Sequence, residues 1–311
     1  MQFQKYTVSC LLLLLLGVVD SIPQNIPELY SSQITGANGS YNSFTHQTGF
    51  CKFQGFNSVS RSTTNGPRLL TSGDVFVGVG LSHVQFGEGV SNNWHSLPDG
   101  AAACGMCLLV THVENMPFID NELNTWDYDK TVTLPFYAMV IDQCNDEVCK
   151  NGYLDFDVYS ESQPVKHGNP YNITWQAVDC PVGNGTLEYL ICPTNACNVG
   201  SADVDPWTSI FSPYYFSITV RNSRIPIIGL NVKHPTTSEF IPLVFNTGIG
   251  WVWSGQSCGN TLTIQVTSAD NQVLVDTVPL GELLSQPSSP GYKGGMMYNS
   301  SQQFAPSRYA A

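Results

Sequence analysis

Residues 136–157 read FYAMVIDQCNDEVCKNGYLDFD, an apolar run that ends at a carboxylate and continues into an acidic segment with two cysteines. The apolar run predicts a short strand, and Asp142 directly follows it, so its side chain is expected at the strand's end. A carboxylate in that place is a candidate general acid for a hydrolase. Glycoside hydrolysis normally needs a second carboxylate on the other side of the substrate, and that group must be sought elsewhere in the chain.

Short apolar segments between turn residues recur along the whole sequence. They include DVFVGVGL at 74–81, CLLVTHV at 107–113, YNITWQAV at 171–178 and TLTIQVTS at 261–268. No segment keeps a period of 3.6 residues over about 12 positions, which an amphipathic helix would require. The pattern is typical of an all-β protein built from short strands.

Composition divides the chain into five parts. A short apolar core behind a basic start predicts a secretory signal peptide over 1–21, followed by a polar leader over 22–40. A first unit is predicted over 41–180 and a second, sandwich-like unit over 181–298, with a short seam that favours close packing of the two. The polar end, 299–311, is predicted to be disordered.

The cysteines fit a secreted, extracellular protein. One of the ten, Cys10, leaves with the signal, and the remaining nine are expected in disulfides with one left unpaired. The Cys104-x-x-Cys107 spacing also fits zinc, but no second close pair completes such a site, so no metal or other cofactor is predicted. Cys144 and Cys149 are expected to pair and to hold the loop between them. Within the second unit Cys192 has two candidate partners, Cys197 and Cys258. The full mature set is Cys51, Cys104, Cys107, Cys144, Cys149, Cys180, Cys192, Cys197 and Cys258.

Charge limits the choice of partners. The net charge is −12 with only 12 Lys and Arg, and no basic cluster occurs. Nucleic acid and anionic membranes are therefore not expected to bind, whereas a neutral polysaccharide is compatible. Four Asn-x-Ser/Thr sequons are candidate glycosylation sites. They begin at Asn38, Asn172, Asn184 and Asn299. The protein is expected to be a monomer.

The second unit carries motifs that resemble those of expansins. Residues 214–222 read YYFSITVRN, and a Pro-hydrophobic step follows at Pro226. An adjacent aromatic pair before Val-Arg-Asn is an expansin feature, as is the closing hairpin segment TSADNQVLVDTVPL. The segment NPYNITWQAVDCP at 169–181 resembles the strand that ends the first expansin domain.

The first unit agrees with this resemblance. Residues 103–107, ACGMC, and the Asp142-Gln143-Cys144 motif followed by Gly152-Tyr153-Leu154-Asp155-Phe156 resemble expansin motifs in the same order. The Cys-x-x-Cys pair is closer to microbial expansins than to those of land plants. The resemblance implies a six-stranded double-psi β-barrel followed by an immunoglobulin-like β-sandwich that binds carbohydrate.

The resemblance also implies the groove chemistry. Family-45 endoglucanases share the barrel and keep their catalytic base in its first strand, which is predicted here over 41–46 and holds no Asp or Glu. Ser43 and Thr45 are expected there as hydroxyl groups beside the acid, and His46 is the only titratable substitute. Asp142 is therefore expected as a retained groove acid, with Asp155 as its supporting neighbour. A base could otherwise come from Glu88, Asp99 or the 114–130 segment.

A second set of residues is expected to bind polysaccharide on the sandwich. Tyr214 and Tyr215 match the aromatic pair, and Trp251 or Trp253 would extend them into a flat row, since residues two apart in a strand share a face. Flat aromatic rings offer apolar contact to the C–H faces of a β-glucan.

Three functions are compatible with the sequence. The first is a secreted protein that binds cellulose or a related β-glucan and loosens wall contacts without hydrolysis. The second is an enzyme on the same barrel, an endo-β-glucanase or a lytic transglycosylase. The third is a cell-wall binding protein whose groove is inactive.

Overall fold

The structure is a computed structural model of the full chain. It describes residues 26–42, 51, 76–82, 103–113, 135–144, 149, 152–157, 171–193, 214–234, 236–246, 250–255, 259–281 and 296–309. One helix, α1 (Ile26–Ser31), precedes fifteen strands in the described part. The strands are β1 (Ile34–Asn42), β2 (Phe76–Ser82), β3 (Cys107–Val113), β4 (Phe136–Cys144), β5 (Leu154–Asp157), β6 (Tyr171–Val178), β7 (Glu188–Pro193), β8 (Tyr215–Arg221), β9 (Ile227–Lys233), β10 (Phe240–Pro242), β11 (Val244–Asn246), β12 (Gly250–Ser254), β13 (Leu262–Ser268), β14 (Val273–Val278) and β15 (Met296–Asn299).

The first six strands close into a barrel in the order β1-β5-β2-β4-β3-β6. Strand β1 runs parallel to β5, β2 runs parallel to β4, and the other neighbours are antiparallel. The interior is filled by fully buried side chains such as Leu81, Val110, Phe156 and Trp175. The predicted all-β class and six-stranded barrel are confirmed.

The prediction that 22–40 is a polar leader outside the barrel is wrong for its described part. Helix α1 buries Leu29 and Tyr30, and β1 is a full barrel strand that ends at Asn42. The sequence of β1, ITGANGSYN, contains an Asn-Gly pair that usually marks a turn. In this strand Ala37 and Gly39 are buried, and a Cβ atom at Gly39 would lie only 3.3 Å from the Ile173 side chain, so the position suits a residue without a side chain.

The remaining strands form two sheets that pack as a sandwich. One has the order β10-β9-β13-β14 and the other β11-β12-β8-β7-β15. The predicted SADNQ hairpin joins β13 to β14, with the Ser268 N–H donating to the Gln272 carbonyl and Asn271 at φ 64°. Asparagine tolerates this left-handed conformation better than most residues. Across the core, the Tyr189 hydroxyl donates to Asp276 on the opposite sheet.

The prediction that 299–311 is disordered is also wrong for its described part, which runs to Tyr309. Phe304 is 1% exposed, and Gln303 donates to the carbonyls of Gly185 and Asn222. The Ser307 N–H donates to Asp179 at 2.8 Å, and the ring of Tyr309 lies 6.0 Å from that of Tyr30. Hydrogen bonds from glutamines and one buried ring hold the segment, and neither produces a periodic pattern in sequence.

Three disulfides stabilise the barrel. They join Cys51 to Cys104, Cys107 to Cys180 and Cys144 to Cys149. The two cysteines of the Cys104-x-x-Cys107 motif therefore lie in separate disulfides. The predicted disulfide between Cys144 and Cys149, on the acidic loop, is confirmed.

Cys192 is also disulfide-bonded. Its candidate partners Cys197 and Cys258 lie outside the described residues, and the single unpaired thiol stays a prediction. Within the described ranges, no helix is long and apolar enough to cross a membrane.

Candidate functional site

A bulge in β4 sets the position of Asp142. Along the parallel pair of β2 and β4, Val79 lies opposite Val140, but Gly80 lies opposite Asp142, so Ile141 is an extra residue. Such bulges re-aim the side chain that follows and are rare in parallel pairs. The Ile141 carbonyl accepts from the Cys51 N–H at 3.2 Å. Asp142 is half-buried, and its Oδ1 accepts from the Gln143 N–H at 2.8 Å.

Gly80 places a second carboxylate in line with Asp142. On its other side, β2 pairs with β5, and Gly80 lies opposite Asp155. Neighbouring strands are spaced about 4.8 Å apart, so the Cα atoms of Asp142 and Asp155 are about 9.5 Å apart. Directly opposed residues share a face of the sheet, and Gly80 has no side chain to fill the space between the two carboxylates.

A hydroxyl group on the next strand completes the arrangement. Strand β1 pairs with β5 so that Ser40 lies opposite Asp155, and the Ser40 hydroxyl donates to Asp155 Oδ1 at 2.6 Å. Both residues are buried, at 4% and 7% exposure. A hydrogen bond from a neutral donor to a carboxylate is stronger than one between two neutral groups, so it holds Asp155 in one orientation. We call Asp142, Gly80, Asp155 and Ser40 the carboxylate row.

The turn before β5 is held from three directions. Gly152 has φ 75°, which glycine adopts readily, and its carbonyl accepts from the Trp175 indole at 2.8 Å. The Tyr153 carbonyl accepts from the Ser82 N–H at 3.0 Å. Tyr153 also packs on the Cys144–Cys149 disulfide. These contacts fix the register in which Asp155 meets Ser40 and Gly80.

The structure adds a hydroxyl partner of the carboxylates that sequence reasoning did not predict. Sequence reasoning placed the first barrel strand over 41–46 and expected Ser43 and Thr45 beside the acid. Strand β1 instead ends at Asn42, and Ser40 forms the hydrogen bond. Ala37 and Gly39 alternate with Asn38 and Ser40, and this alternation was the available signal for a strand. The Asn-Gly pair, which is typical of a turn, obscured it.

Several predicted candidates lie outside the described residues. They are Ser43, Thr45, His46, Glu88, Asp99 and the 114–130 segment. Their roles stay predictions.

The predicted aromatic row on the sandwich is wrong for its two tryptophans. Trp251 and Trp253 are 6% and 3% exposed. Trp251 packs edge-on against Phe245 at 5.3 Å between ring centroids, and Trp253 stacks on Phe216 at 6.3 Å. The two tryptophans do share a face, as the period of two requires, but that face is turned to the core between the sheets.

The tyrosines keep access to solvent and adjoin a cleft. Tyr214 is 59% exposed and its carbonyl accepts from the Gly255 N–H at 3.0 Å, while Tyr215 is half-buried opposite Ser254. Gly255 and Ser254 line a cleft of about 470 Å³ at one edge of the sandwich. Its walls are His234, Ile241, Pro242, Leu243, Val244, Asn246, Val252, Trp253, Ser254 and Gly255. Sequence reasoning missed this cleft because it joins edge strands of both sheets.

All four sequon asparagines are exposed. Asn38 and Asn172 lie directly opposite each other on β1 and β6, Asn184 lies in the turn after Val182, and Asn299 ends β15. Their glycosylation stays a prediction.

Comparison with known proteins bears on the fold. No protein-family model matches the chain, and no curated protein matches it in sequence. A mutant of the Clavibacter michiganensis expansin in complex with cellohexaose matches in structure with a TM-score of 0.51 and 18% identity, covering 88% of this chain and 99% of that chain. The apo Clavibacter michiganensis expansin has a TM-score of 0.49 with the same identity and coverage. The match to the cellohexaose complex confirms the resemblance seen in the sequence at the level of architecture, and the chain has the fold of a microbial expansin.

Proposed function

We propose that this protein is a secreted expansin-type protein that binds cellulose or a related neutral β-glucan across the carboxylate row and loosens contacts between glucan chains without hydrolysing them. The observation that carries this proposal is the alignment of Asp142 and Asp155 on either side of Gly80. The row is a polar strip whose central position, Gly80, carries no side chain, and Asp142 is its accessible end. Such a strip suits a polymer rich in hydroxyl donors.

The two carboxylates would have different roles in binding. Asp142 is half-buried and can accept hydrogen bonds from sugar hydroxyls, which are stronger when the acceptor is ionised. Asp155 is held by Ser40 and keeps its orientation without the ligand. A net charge of −12 favours a neutral polymer over an acidic one, because like charges repel within a Debye length of about 8 Å. The cellohexaose bound by the Clavibacter michiganensis protein supports a β-glucan as the ligand class.

The burial and hydrogen bonding of Asp155 support loosening without cleavage. A glycosidase needs both carboxylates at the scissile bond, one as the acid and one as the base or nucleophile. Asp155 is 7% exposed and engaged by a hydroxyl group, so it is poorly placed to activate water. Asp142 would then act as a binding group rather than as half of a catalytic pair.

The sandwich cleft would supply a second contact. Tyr214 is 59% exposed and its carbonyl accepts from the N–H of Gly255, a cleft residue, while Val244, also 59% exposed, lines the cleft. An aromatic ring and an apolar wall suit the C–H face of a sugar. The three disulfides are consistent with secretion, since such bonds persist in oxidising compartments.

The test compares Asp142→Asn with the unchanged protein. We expect weaker pull-down on cellulose and loss of creep in clamped wall strips, with no reducing sugar released by either form. Glu239→Gln is the matched control, since Glu239 is an exposed carboxylate in a sandwich turn outside the cleft. Unchanged binding and creep in Asp142→Asn would contradict the proposal.

An endo-β-glucanase or lytic transglycosylase is the second candidate, and the register that puts Asp142 and Asp155 on either side of Gly80 favours it. The Cα spacing of about 9.5 Å between Asp142 and Asp155 allows carboxyl separations of roughly 6.5–9.5 Å, the range of inverting glycosidases. Release of reducing sugar from amorphous cellulose or peptidoglycan, abolished in Asp142→Asn, would establish this function instead.

A binding protein with an inactive groove would give a third result. Its pull-down on cellulose would survive Asp142→Asn and fail when Tyr215→Ala is combined with Val244→Ala, and neither form would cause creep. Val273→Ala is the matched control for Val244, because Val273 is 51% exposed on the other sheet.

A further inference from the structure

Two of the sequons lie together beside the carboxylate row. Asn38 on β1 and Asn172 on β6 are directly opposite in the antiparallel register, and both are exposed. Directly opposed residues of an antiparallel pair have Cβ atoms about 4.5–5.5 Å apart. We call these two residues the sequon pair.

The sequon pair shares a face with the hydroxyl end of the row. Asn38 and Ser40 are two residues apart in β1, and the only register shift in the pairing of β1 with β6 lies before them, between Ile34 and Ala37. Residues two apart in a regular strand point to the same side and are separated by about 6.7 Å. A group attached to Asn38 would therefore begin within one sugar ring of the Ser40–Asp155 hydrogen bond.

Ser40 belongs to both features. It is the third residue of the Asn38-Gly39-Ser40 sequon and also the hydrogen-bond donor to Asp155. Ser40 is only 4% exposed in the folded protein, so glycosylation of this sequon would have to precede burial of the strand.

We propose that the sequon pair carries an N-linked glycan that borders the carboxylate row and restricts the approach of a glucan chain from the β1 side. In the modification, the asparagine amide nitrogen bonds to the anomeric carbon of a lipid-diphosphate-linked oligosaccharide. The bond from that carbon to the diphosphate oxygen breaks, the nitrogen loses one proton, and the lipid diphosphate leaves. The role in glucan access rests on the proposed function, whereas the attachment of the glycan does not.

The first test is the mass of the full chain secreted from a eukaryotic host. We expect the variant Asn38→Gln with Asn172→Gln to lose the mass of glycan that peptide mapping assigns to these positions. Asn184→Gln, in the turn between the barrel and the sandwich, is the control for loss of a sequon elsewhere. No glycan on either peptide of the unchanged protein would overturn the proposal.

The second test is the affinity for soluble cello-oligosaccharides. We expect the dissociation constant of the double variant to fall by about threefold, and enzymatic deglycosylation of the unchanged protein to give the same change. Asn184→Gln should bind like the unchanged protein. A glycan at the pair whose removal leaves the affinity unchanged would overturn the role in access.

A third comparison separates this proposal from the proposed function. Asp155→Asn keeps both sequons and should weaken binding whether or not the glycan is present. If Asp155→Asn binds normally while the glycan is found, the proposed function fails and the assignment of the glycan stands. Ser40→Ala should lose both the Asn38 glycan and the hydrogen bond, and Ser40→Thr should keep both.

Discussion

The barrel and the sandwich present their candidate binding groups in opposite ways. In the barrel, three strands bring polar residues into one row around Gly80 of a fourth, and the hydrogen bond of 2.6 Å between Ser40 and Asp155 is buried within it. In the sandwich, the large aromatic groups Trp251 and Trp253 are turned inward, whereas Tyr214 is exposed and Tyr215 is half-buried. The comparison teaches that a residue type suited to binding becomes a binding group only when its strand register and face expose it.

The largest expected effect is on stability, and it distinguishes aromatic residues in the core from those on the surface. Trp253→Ala should lower the free energy of unfolding by about 3–5 kcal/mol, because a buried ring stacked on Phe216 is lost and a cavity remains. Tyr214→Ala should change it by less than about 0.5 kcal/mol, yet weaken pull-down on cellulose. Urea unfolding followed by tryptophan fluorescence measures the first quantity. A stable Trp253→Ala protein that has lost only glucan binding would restore the tryptophan to the binding surface.

The next effect concerns the buried end of the carboxylate row. Ser40→Ala should cost about 1–3 kcal/mol, because Asp155 loses a hydrogen bond in a buried place. Ser40→Thr keeps a hydroxyl group and should cost less. Urea unfolding of both variants, each produced in a host that adds no glycans, measures the contribution of the hydrogen bond without an effect of glycosylation. An equal loss of unfolding free energy in Ser40→Ala and Ser40→Thr would show that the shape of the side chain, rather than its hydrogen bond, matters at this position.

A smaller effect on stability is expected at the accessible end of the row. Asp142→Asn should change the free energy of unfolding by no more than about 1 kcal/mol, because the side chain is half-buried and its carbonyl oxygen can still accept from the Gln143 N–H. Its effect on cellulose binding should be larger than that of Ser40→Thr. Isothermal titration with cellohexaose compares the two. Equal affinity of Asp142→Asn and Ser40→Thr for cellohexaose would contradict the assignment of Asp142 as the end of the row that binds the ligand.

The smallest effect concerns the junction between the two regions. Burial raises the pKa of Asp179, opposed by the hydrogen bond from Ser307 and by the charge of Arg224. A raised folded-state pKa adds stability as pH falls from neutral toward about 4, the ordinary carboxyl value. Asp179→Asn should therefore be more stable than the unchanged protein at pH 7, with a difference that shrinks as pH falls to about 4.

The pKa of the neighbouring Asp270 is shifted in the opposite direction. Burial acts to raise its pKa, but hydrogen bonds from Gln272, Ser268 and the Arg308 N–H together lower it below the ordinary value. Its stabilisation is present above about pH 4 and is lost as pH falls through the lowered pKa. Thermal unfolding of Asp179→Asn and Asp270→Asn between pH 3 and 7 tests both signs. A pH-independent difference between Asp179→Asn and the unchanged protein would contradict the account of Asp179.

Much of the architecture could be predicted because short apolar strands leave a local signal. The segments at 107–113 and 171–178 became β3 and β6, and the SADNQ turn became the β13–β14 hairpin. The Cys144–Cys149 bond was predictable because the two residues are near neighbours. Strand β1 and the C-terminal segment were not predicted, since they are held by small residues, a single buried Phe304 and side-chain amides.

The candidate site could be predicted only in part. Asp142 and Asp155 were identified from their motifs, but their alignment through Gly80 depends on a bulge at Ile141 and on the pairing of β2 with two partners. Ser40 was not identified because the first barrel strand was predicted over 41–46, whereas β1 spans Ile34–Asn42.

The sequence by itself determined the β-rich class, the disulfide-bearing barrel, the acidic charge and the residues from which a glucan site can be built. Only the tertiary structure decided which of them meet and which face solvent. The reason is physical: strand period is a local property of the chain, whereas register and burial arise from contacts between segments far apart in it. Ser40 and Asp155 are 115 residues apart in sequence and 2.6 Å apart in the barrel.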